Sequence, residues 1–138
     1  MSKGKILVVD DEGDLVDLVR MRLQACGYGV EVAACGQETL EKARLFSPHV
    51  ILLDLVMPEM DGFDVCRTLR ASSSVYGSPA VIALSALADE PSVERALATG
   101  ADSYVVKPFE FRDLLATIEH YIDEKRNVGG VADGSARS

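Results

Sequence analysis

Asp54 is an acidic residue within a stretch of sequence that is otherwise apolar. It follows the run Val50 to Leu53 and precedes Leu55 and Val56, in the segment VILLDLVMPEMDGFDV. The run before it is typical of a buried strand, because it is continuous and rich in branched aliphatic residues. A carboxylate at the end of such a strand is a candidate nucleophile or metal ligand.

Polar residues also end three other apolar runs. Asp10 and Asp11 follow the first run of the chain, Ser85 follows the fourth, and Lys107 follows the fifth. If these runs are parallel strands, their carboxyl ends lie at one edge of a sheet, where ligands bind in open α/β folds. We therefore expect these four residues and Asp54 to form one site.

The charges of these residues indicate what the site binds. Two carboxylates about 5 Å apart repel each other by roughly 3 kcal/mol at an effective dielectric constant near 20. Three acids therefore require cations; Lys107 supplies one charge, and Mg²⁺, which prefers oxygen ligands, would supply two more. A metal ion, a lysine and a hydroxyl are what a phosphoryl group requires, and Asp54 could accept that group as an acyl phosphate.

Each of these residues also has a purely structural interpretation. Asp10 or Asp11 would suit the N-cap of the first helix, and Asp54 would suit a turn leading into MPEMDG. Ser85 would cap a later helix, and Lys107 would be an exposed lysine at the rim. All of these explanations would have to coincide at one edge of the sheet, so we favour a functional site.

The elements that must position the site follow from the hydrophobic pattern. Five short apolar runs predict strands, and the stretches between them have apolar residues at helical spacing. In the first of these stretches they are Leu15, Leu18, Val19, Leu23 and Cys26. Strict alternation with short connections predicts an α/β fold, a doubly wound five-stranded parallel sheet with five helices on both faces. The predicted strands are Lys5 to Val9, Val30 to Ala34 (an edge strand), Val50 to Leu53, Ala80 to Leu84 and Ser103 to Val106.

Composition excludes several classes of function. The net charge of −8 argues against unaided binding to nucleic acid or to anionic membranes. Cys26, Cys35 and Cys66 have neither metal-knuckle nor CxxC spacing, so we interpret them as buried or half-buried thiols. The sequence contains no signal-peptide core and no long apolar span, so we expect a soluble, cytoplasmic protein.

The regular pattern stops near residue 125. We interpret residues 3 to 125 as a single domain. Residues 126 to 138 end in NVGGVADGSARS, which is rich in Gly, Ser and Ala and has little to bury. We expect this segment to be a flexible tail or the stump of a linker.

Four motifs together resemble the receiver domain of response regulators in two-component signalling. They are ILVVDDE, VILLDLVMPEMDGF, VIALSA and GADSYVVKPF, and the resemblance covers residues 3 to about 125. It implies a flavodoxin-like sheet of order 2-1-3-4-5, Mg²⁺ as the cofactor, and a phosphorylation switch rather than an enzyme. The implied partners are a sensor histidine kinase or a histidine phosphotransfer protein, and a downstream protein target or an output domain beyond residue 138.

The resemblance assigns a role to each residue of the site. Asp54 would accept the phosphoryl group. Asp11, Asp54 and the Val56 carbonyl would bind Mg²⁺ directly, and Asp10 would act mainly through a metal-bound water. Lys107 would pair with the phosphoryl oxygens.

The resemblance also implies a switch. Ser85 would hydrogen-bond to the phosphoryl group, and Tyr104 would then occupy the space beside it. The altered face would be the fourth helix, fifth strand and fifth helix, around Val93 to Leu97, Tyr104 and Phe111 to Ile118. The bond between Lys107 and Pro108 resembles the cis peptide bond of the family.

Three other functions fit parts of the pattern. A phosphatase of the haloacid-dehalogenase type would use Asp10 as nucleophile in an Asp-x-Asp motif, but Glu12 stands at the third position. A flavin-binding protein would need a small, hydroxyl- and Gly-rich loop after the first strand to receive a phosphate, but here that loop is acidic and would repel it. A binding module that switches without phosphate would not need the complete set of polar residues.

Val56 and Leu87 bear on how long a phosphoryl group would persist. They lie two positions after Asp54 and Ser85, where we expect them to border the phosphoryl group, and both are apolar. Neither side chain can orient an attacking water. The sequence therefore predicts slow self-dephosphorylation.

Overall fold

The computed structural model of the chain describes residues 3–57 and 60–130. The strands are β1 (Lys5–Val9), β2 (Gly29–Ala33), β3 (Val50–Asp54), β4 (Val56–Met57), β5 (Met60–Asp61), β6 (Ala80–Ser85) and β7 (Ser103–Val106). The helices are α1 (Gly13–Ala25), α2 (Gly36–Phe46), α3 (Gly62–Ala71), α4 (Ser73–Tyr76), α5 (Glu90–Ala98) and α6 (Phe111–Gly130).

Five of the strands form one parallel sheet in the order β2-β1-β3-β6-β7. Numbered within this sheet alone, the order is 2-1-3-4-5, so the predicted topology is confirmed. The strand order reverses between β1 and β3, which is the point where open α/β sheets bind their ligands. The two-residue strands β4 and β5 pair with each other in antiparallel fashion just beyond the end of β3.

Helices cover both faces of the sheet, which explains the continuous apolar runs. Ile51 and Leu53 of β3 face a cluster that includes residues of α2, α3 and α5, whereas Val50 and Leu52 face a cluster built with α1 and α6. All four side chains are fully buried. Burying each one contributes roughly 1.5–3 kcal/mol, so β3 is held firmly in register and its last residue, Asp54, has a fixed position.

The helices differ from the prediction in their number and in where the last one ends. Residues 3–57 and 60–130 form six helices rather than five, because α4 forms a single turn that ends before Gly77, whose φ is +72°. A single turn is too short to show helical periodicity in the sequence. Helix α6 continues to Gly130, into the segment that we expected to be a tail, and residues 131–138 lie outside the described residues.

Two side chains are more exposed than the sequence suggested. Leu18, which has the spacing of the buried face of α1, is 54% exposed. Cys35, interpreted as a buried or half-buried thiol, is exposed at the N-cap of α2, whereas Cys26 is half-buried and Cys66 is buried. Residue type alone does not reveal such exposure, because apolar residues are also found at protein surfaces.

No helix within residues 3–57 and 60–130 has both the length and the apolar character that a bilayer crossing requires.

Candidate phosphoacceptor site

The five polar residues predicted to form one site lie at the carboxyl edge of the sheet. Asp54 and Ser85 are the last residues of β3 and β6, while Asp10 and Lys107 directly follow β1 and β7. The ladder continues past the strand ends, because the Leu55 amide donates to the Leu84 carbonyl and the Lys107 amide to the Ser85 carbonyl. These bonds align the loops that carry the site.

Lys107 joins the acids at the centre of the site. Its Nζ lies 2.7 Å from Asp10 Oδ2 and 3.3 Å from Asp54 Oδ2, with Glu12 Oε1 further away at 3.8 Å. Asp10 and Asp54 are each only 4% exposed. A buried carboxylate is costly unless it is paired, so the lysine stabilises both acids at once.

Asp10 and Asp54 each use their second carboxylate oxygen to hold the following loop. Asp10 Oδ1 accepts from the Glu12 amide at 3.0 Å, and Asp54 Oδ1 accepts from the Val56 amide at 3.0 Å. The same local hydrogen bond therefore occurs at both acids. It fixes each side chain so that the other carboxylate oxygen, Oδ2, faces Lys107. Because the Oδ2 atoms of Asp10 and Asp54 are already held in place, they are suited to bind a ligand between the two side chains.

The capping interpretation of the acids is not supported by the geometry. The N-cap of α1 is Glu12, whose side chain makes no capping bond, so neither Asp10 nor Asp11 caps that helix. Helix α5 is capped by Asp89 rather than by Ser85. These acids and this hydroxyl are therefore not explained by helix ends.

The acids have the donor set of a divalent cation site. Carboxylate oxygens of Asp10, Asp11 and Asp54 all lie within 4.8 Å of one another, and Asp11 is the exposed member of the three. Hard oxygen ligands in a shallow, partly exposed cluster suit Mg²⁺, which keeps several of its waters. These residues therefore fit the metal that the sequence predicted.

Burial, the largest cause, and the negative charge of Asp10 together raise the pKa of Asp54 to about 6, against the opposing effects of the Val56 amide and Lys107. Burial alone would lower the pKa of Lys107, but its bonds to Asp10 and the charges of both acids raise it above its usual value. Lys107 therefore stays protonated and positively charged, and in the metal-free protein the Asp54 carboxylate is more basic than that of an ordinary aspartate.

The pKa of Asp54 predicts how stability changes with pH without metal. The folded state holds the proton up to about pH 6, whereas the pKa of a free aspartate side chain is 3.8. Between these pKa values the folded state binds more protons than the unfolded state. The free energy of unfolding should therefore fall as the pH rises from about 4 to about 6, by at most about 3 kcal/mol. In Asp54→Asn this part of the fall should be absent, which urea unfolding in EDTA at both pH values would measure. Equal pH dependence in parent and variant would contradict the shift.

Ser85 and Tyr104, the predicted switch residues, are connected through the backbone of Leu87. Ser85 Oγ accepts from the Leu87 amide at 3.0 Å, and the Tyr104 hydroxyl donates to the Leu87 carbonyl at 2.6 Å. Ser85 is buried and Tyr104 is half-buried. The sequence showed neither bond, because a backbone donor or acceptor has no residue-type signature.

The remaining predictions concern residues next to the acids. The bond between Lys107 and Pro108 is cis, as predicted. Val56 and Leu87 are exposed, so both have room to border a group on Asp54. Glu12, which sequence reasoning did not assign to the site, lies beside Lys107; its position directly after the acidic pair was the available signal.

Comparisons with known proteins agree with this geometry. The family model for the response regulator receiver domain matches residues 6–119. The probable transcriptional regulator ycf27 of Porphyridium aerugineum is 42% identical over 118 residues, which are 86% of this chain and 48% of that protein. The DNA-binding response regulator MtrA of Mycobacterium tuberculosis (strain H37Rv) is 36% identical over 135 residues, covering 95% of this chain and 58% of MtrA. The chain thus spans about half the length of these curated relatives.

Solved structures give the same result. A CheY-like receiver domain protein from Methanospirillum hungatei has a TM-score of 0.81 and 30% identity, covering 90% of this chain and 97% of that one. The chemotaxis response regulator CheY4 of Vibrio cholerae has a TM-score of 0.78 and 35% identity, covering 86% and 98%. The sheet order, the position of the acids and these matches together show that the chain belongs to the response regulator receiver domain family.

Proposed function

We propose that Asp54 is the phosphoacceptor of this receiver domain. The observation that carries the proposal is the position of Lys107, whose ammonium group contacts both Asp10 and Asp54 at the carboxyl edge of the sheet. This places a fixed cation beside a carboxylate that is otherwise buried. The arrangement suits a group that brings further negative charge to Asp54.

The transfer itself requires little from the protein beyond positioning and charge. An Asp54 oxygen attacks the phosphorus of a phosphohistidine, the P–N bond breaks as the new P–O bond forms, and the imidazole nitrogen keeps the electron pair and takes a proton. Lys107 pairs with the phosphoryl oxygens. Mg²⁺, held by Asp11, Asp54 and the Val56 carbonyl and through water by Asp10, would neutralise charge on those oxygens.

The proposed partners follow from this chemistry. The donor would be a sensor histidine kinase or a histidine phosphotransfer protein, and the signal would pass to a downstream protein target or to an output domain beyond residue 138. The domain would catalyse only its own phosphorylation and slow dephosphorylation. Donor and acceptor must share a compartment, which we propose is the cytoplasm.

The switch would start at Ser85. If Ser85 Oγ turns to a phosphoryl oxygen, it gives up the Leu87 amide, and the loop that also holds the Tyr104 hydroxyl becomes free to rearrange. Tyr104 would then move towards the space beside Ser85. The affected surface comprises α5, β7 and the first turns of α6, the face expected from the sequence.

The switch predicts where NMR shifts appear when beryllofluoride, a phosphoryl mimic, is added with Mg²⁺. Amide chemical-shift changes should extend from the acids at the carboxyl edge of the sheet to residues 87–98 and 103–106 and to the start of α6. They should stay small in α2, which lies elsewhere on the sheet. Shifts that remain confined to the acidic edge would contradict the switch, although Asp54 could still be the acceptor.

The side chains of Val56 and Leu87 predict the lifetime of the phosphoryl group. Val56→Asn and Leu87→Glu would each provide a group that can orient an attacking water, and hydrolysis should become about tenfold faster for each 1.4 kcal/mol removed from the barrier. The measurement is decay of the phosphorylated protein at constant Mg²⁺. Val75→Asn and Leu45→Glu are matched controls, because both change exposed apolar residues on other elements. Parental rates in both test variants would show that these positions do not set the lifetime.

A further inference from the structure

Arg95 connects helix α5 to the segment Asp61–Phe63 at the start of α3. Its guanidinium carbon lies 3.9 Å from the centroid of the Phe63 ring, and its Nη2 lies 3.8 Å from Asp61 Oδ2. Phe63 is buried, and Asp61 also accepts from the Phe63 amide at 2.9 Å as the N-cap of α3. One side chain of α5 thus contacts the residues on both sides of Gly62.

The Asp61–Phe63 segment in turn lies against the backbone of the phosphoacceptor. Asp61 pairs with Val56 in the short β4–β5 ladder, and the Gly62 amide donates to the Leu55 carbonyl at 3.2 Å. A Cβ atom on residue 62 would lie 2.6 Å from Leu55 Cα and 2.9 Å from the Asp54 carbonyl oxygen. The two backbones are therefore in direct contact, and a shift of one must move the other.

We infer that Arg95 is a positioning residue for the phosphoacceptor site. By holding Asp61 and Phe63 it keeps Gly62 pressed against the backbone of Asp54 and Leu55. That contact sets the place of the Asp54 carboxylate and of the adjoining Val56 backbone. The inference rests on the proposed function and extends it, because it gives Arg95 of helix α5 a role in positioning the groups around Asp54.

The coupling must act in both directions. If the position of α5 affects how well the site holds Mg²⁺, then occupation of the site affects the position of α5 by the same factor. Arg95 would provide a second connection between them, independent of the route through Ser85 and Leu87. It approaches the site from the side of α3, whereas the other route follows the chain from β6 into α5.

The test compares Arg95→Ala with Arg67→Ala. Both arginines have similarly exposed side chains, 55% and 56%, and both pair with an aspartate, but Arg67 pairs with Asp64 on its own helix. Exposed ion pairs contribute little to stability, so both variants should fold and unfold much as the parent does. The difference should appear in Mg²⁺ affinity, measured by titration of the Leu55 and Val56 amide signals in NMR spectra.

Arg95→Ala should raise the Mg²⁺ dissociation constant about threefold to tenfold, in the range usual for residues that couple distant sites, and Arg67→Ala should leave it unchanged. Parental affinity in Arg95→Ala, or an equal loss in Arg67→Ala, would overturn the inference. If the parent itself shows no Mg²⁺-dependent shifts, the metal proposal fails instead. Arg95 is then judged by hydrogen exchange of the Gly62 amide, which must become faster in Arg95→Ala; an unchanged rate would overturn the inference.

A second pair of variants tests the contact directly. Gly62 and Gly13 are each the first residue of a helix, but a Cβ on residue 13 would meet nothing within 4 Å. Gly62→Ala should weaken Mg²⁺ binding at least as much as Arg95→Ala, whereas Gly13→Ala should not. If Gly62→Ala is folded and binds Mg²⁺ like the parent, the backbone contact does not position the site and the inference is wrong.

Discussion

Asp54→Asn is expected to abolish phosphorylation. An amide is a poor nucleophile and cannot form the acyl phosphate. The side-chain oxygen of the new asparagine would keep accepting from the Val56 amide, whereas its NH2 group cannot accept from Lys107. The variant and the parent would each be incubated with acetyl phosphate and Mg²⁺, and intact-protein mass spectrometry would measure the gain of one phosphoryl group. The parent should gain one, and the variant none.

The control for this variant is Asp64→Asn. Asp64 is an exposed acid on α3 whose ion-pair partner is Arg67, outside the acidic cluster. Asp64→Asn should therefore be phosphorylated at the parental rate. An Asp54→Asn protein that still gained one phosphoryl group with unchanged kinetics would show that the acceptor lies elsewhere.

Asp11→Ala is expected to produce the second largest effect, a loss of Mg²⁺ affinity of at least about tenfold. Asp11 is the exposed member of the acidic cluster and is proposed to bind the metal directly. Changes in residues that merely support metal ligands already cost about 10–100-fold. Titration of the Leu55 and Val56 amides with Mg²⁺ would measure the effect, and phosphorylation should fall with it.

The same variant tests whether the acids repel one another. Removing one of three clustered carboxylates relieves repulsion in the metal-free protein, so Asp11→Ala should be at least as stable as the parent in EDTA. Asp14→Ala, which removes another exposed acid at the start of α1, is the control and should not affect Mg²⁺ binding. A lower melting temperature for metal-free Asp11→Ala would contradict the repulsion, and parental Mg²⁺ affinity would remove Asp11 from the proposed ligands.

The sheet was predictable because its central strands are buried on both faces. The runs Lys5–Val9 and Ser103–Val106 match β1 and β7 residue for residue, and β3 and β6 each extend by one residue, to Asp54 and Ser85. The site was predictable for the same reason, since parallel strands bring their carboxyl ends to one edge. A polar residue directly after an apolar run can therefore be predicted to lie at the carboxyl edge of the sheet.

The contacts that connect the site to the rest of the domain were not predictable. The bond from Tyr104 to the Leu87 carbonyl depends on a backbone atom, and the stacking of Arg95 on Phe63 depends on how α3 and α5 pack beside each other. Local sequence patterns encode the strands and helices but not these distances between elements. The exposure of Leu18 has the same origin, because helical spacing cannot tell which apolar residues a neighbouring element will cover.

The central proposal is tested most directly by locating the phosphoryl group in the phosphorylated parent protein, which carries no substitution. The protein would be phosphorylated with Mg²⁺ by a phosphohistidine donor or acetyl phosphate, the acyl phosphate reduced with borohydride to a stable alcohol, and tryptic peptides sequenced by mass spectrometry. We predict a single converted residue, Asp54, within the peptide of residues 45–67. Conversion of Asp10 or Asp11 instead, in the peptide of residues 6–20, would contradict the proposal. Conversion of Asp10 in particular would favour an aspartyl phosphatase of the haloacid-dehalogenase type.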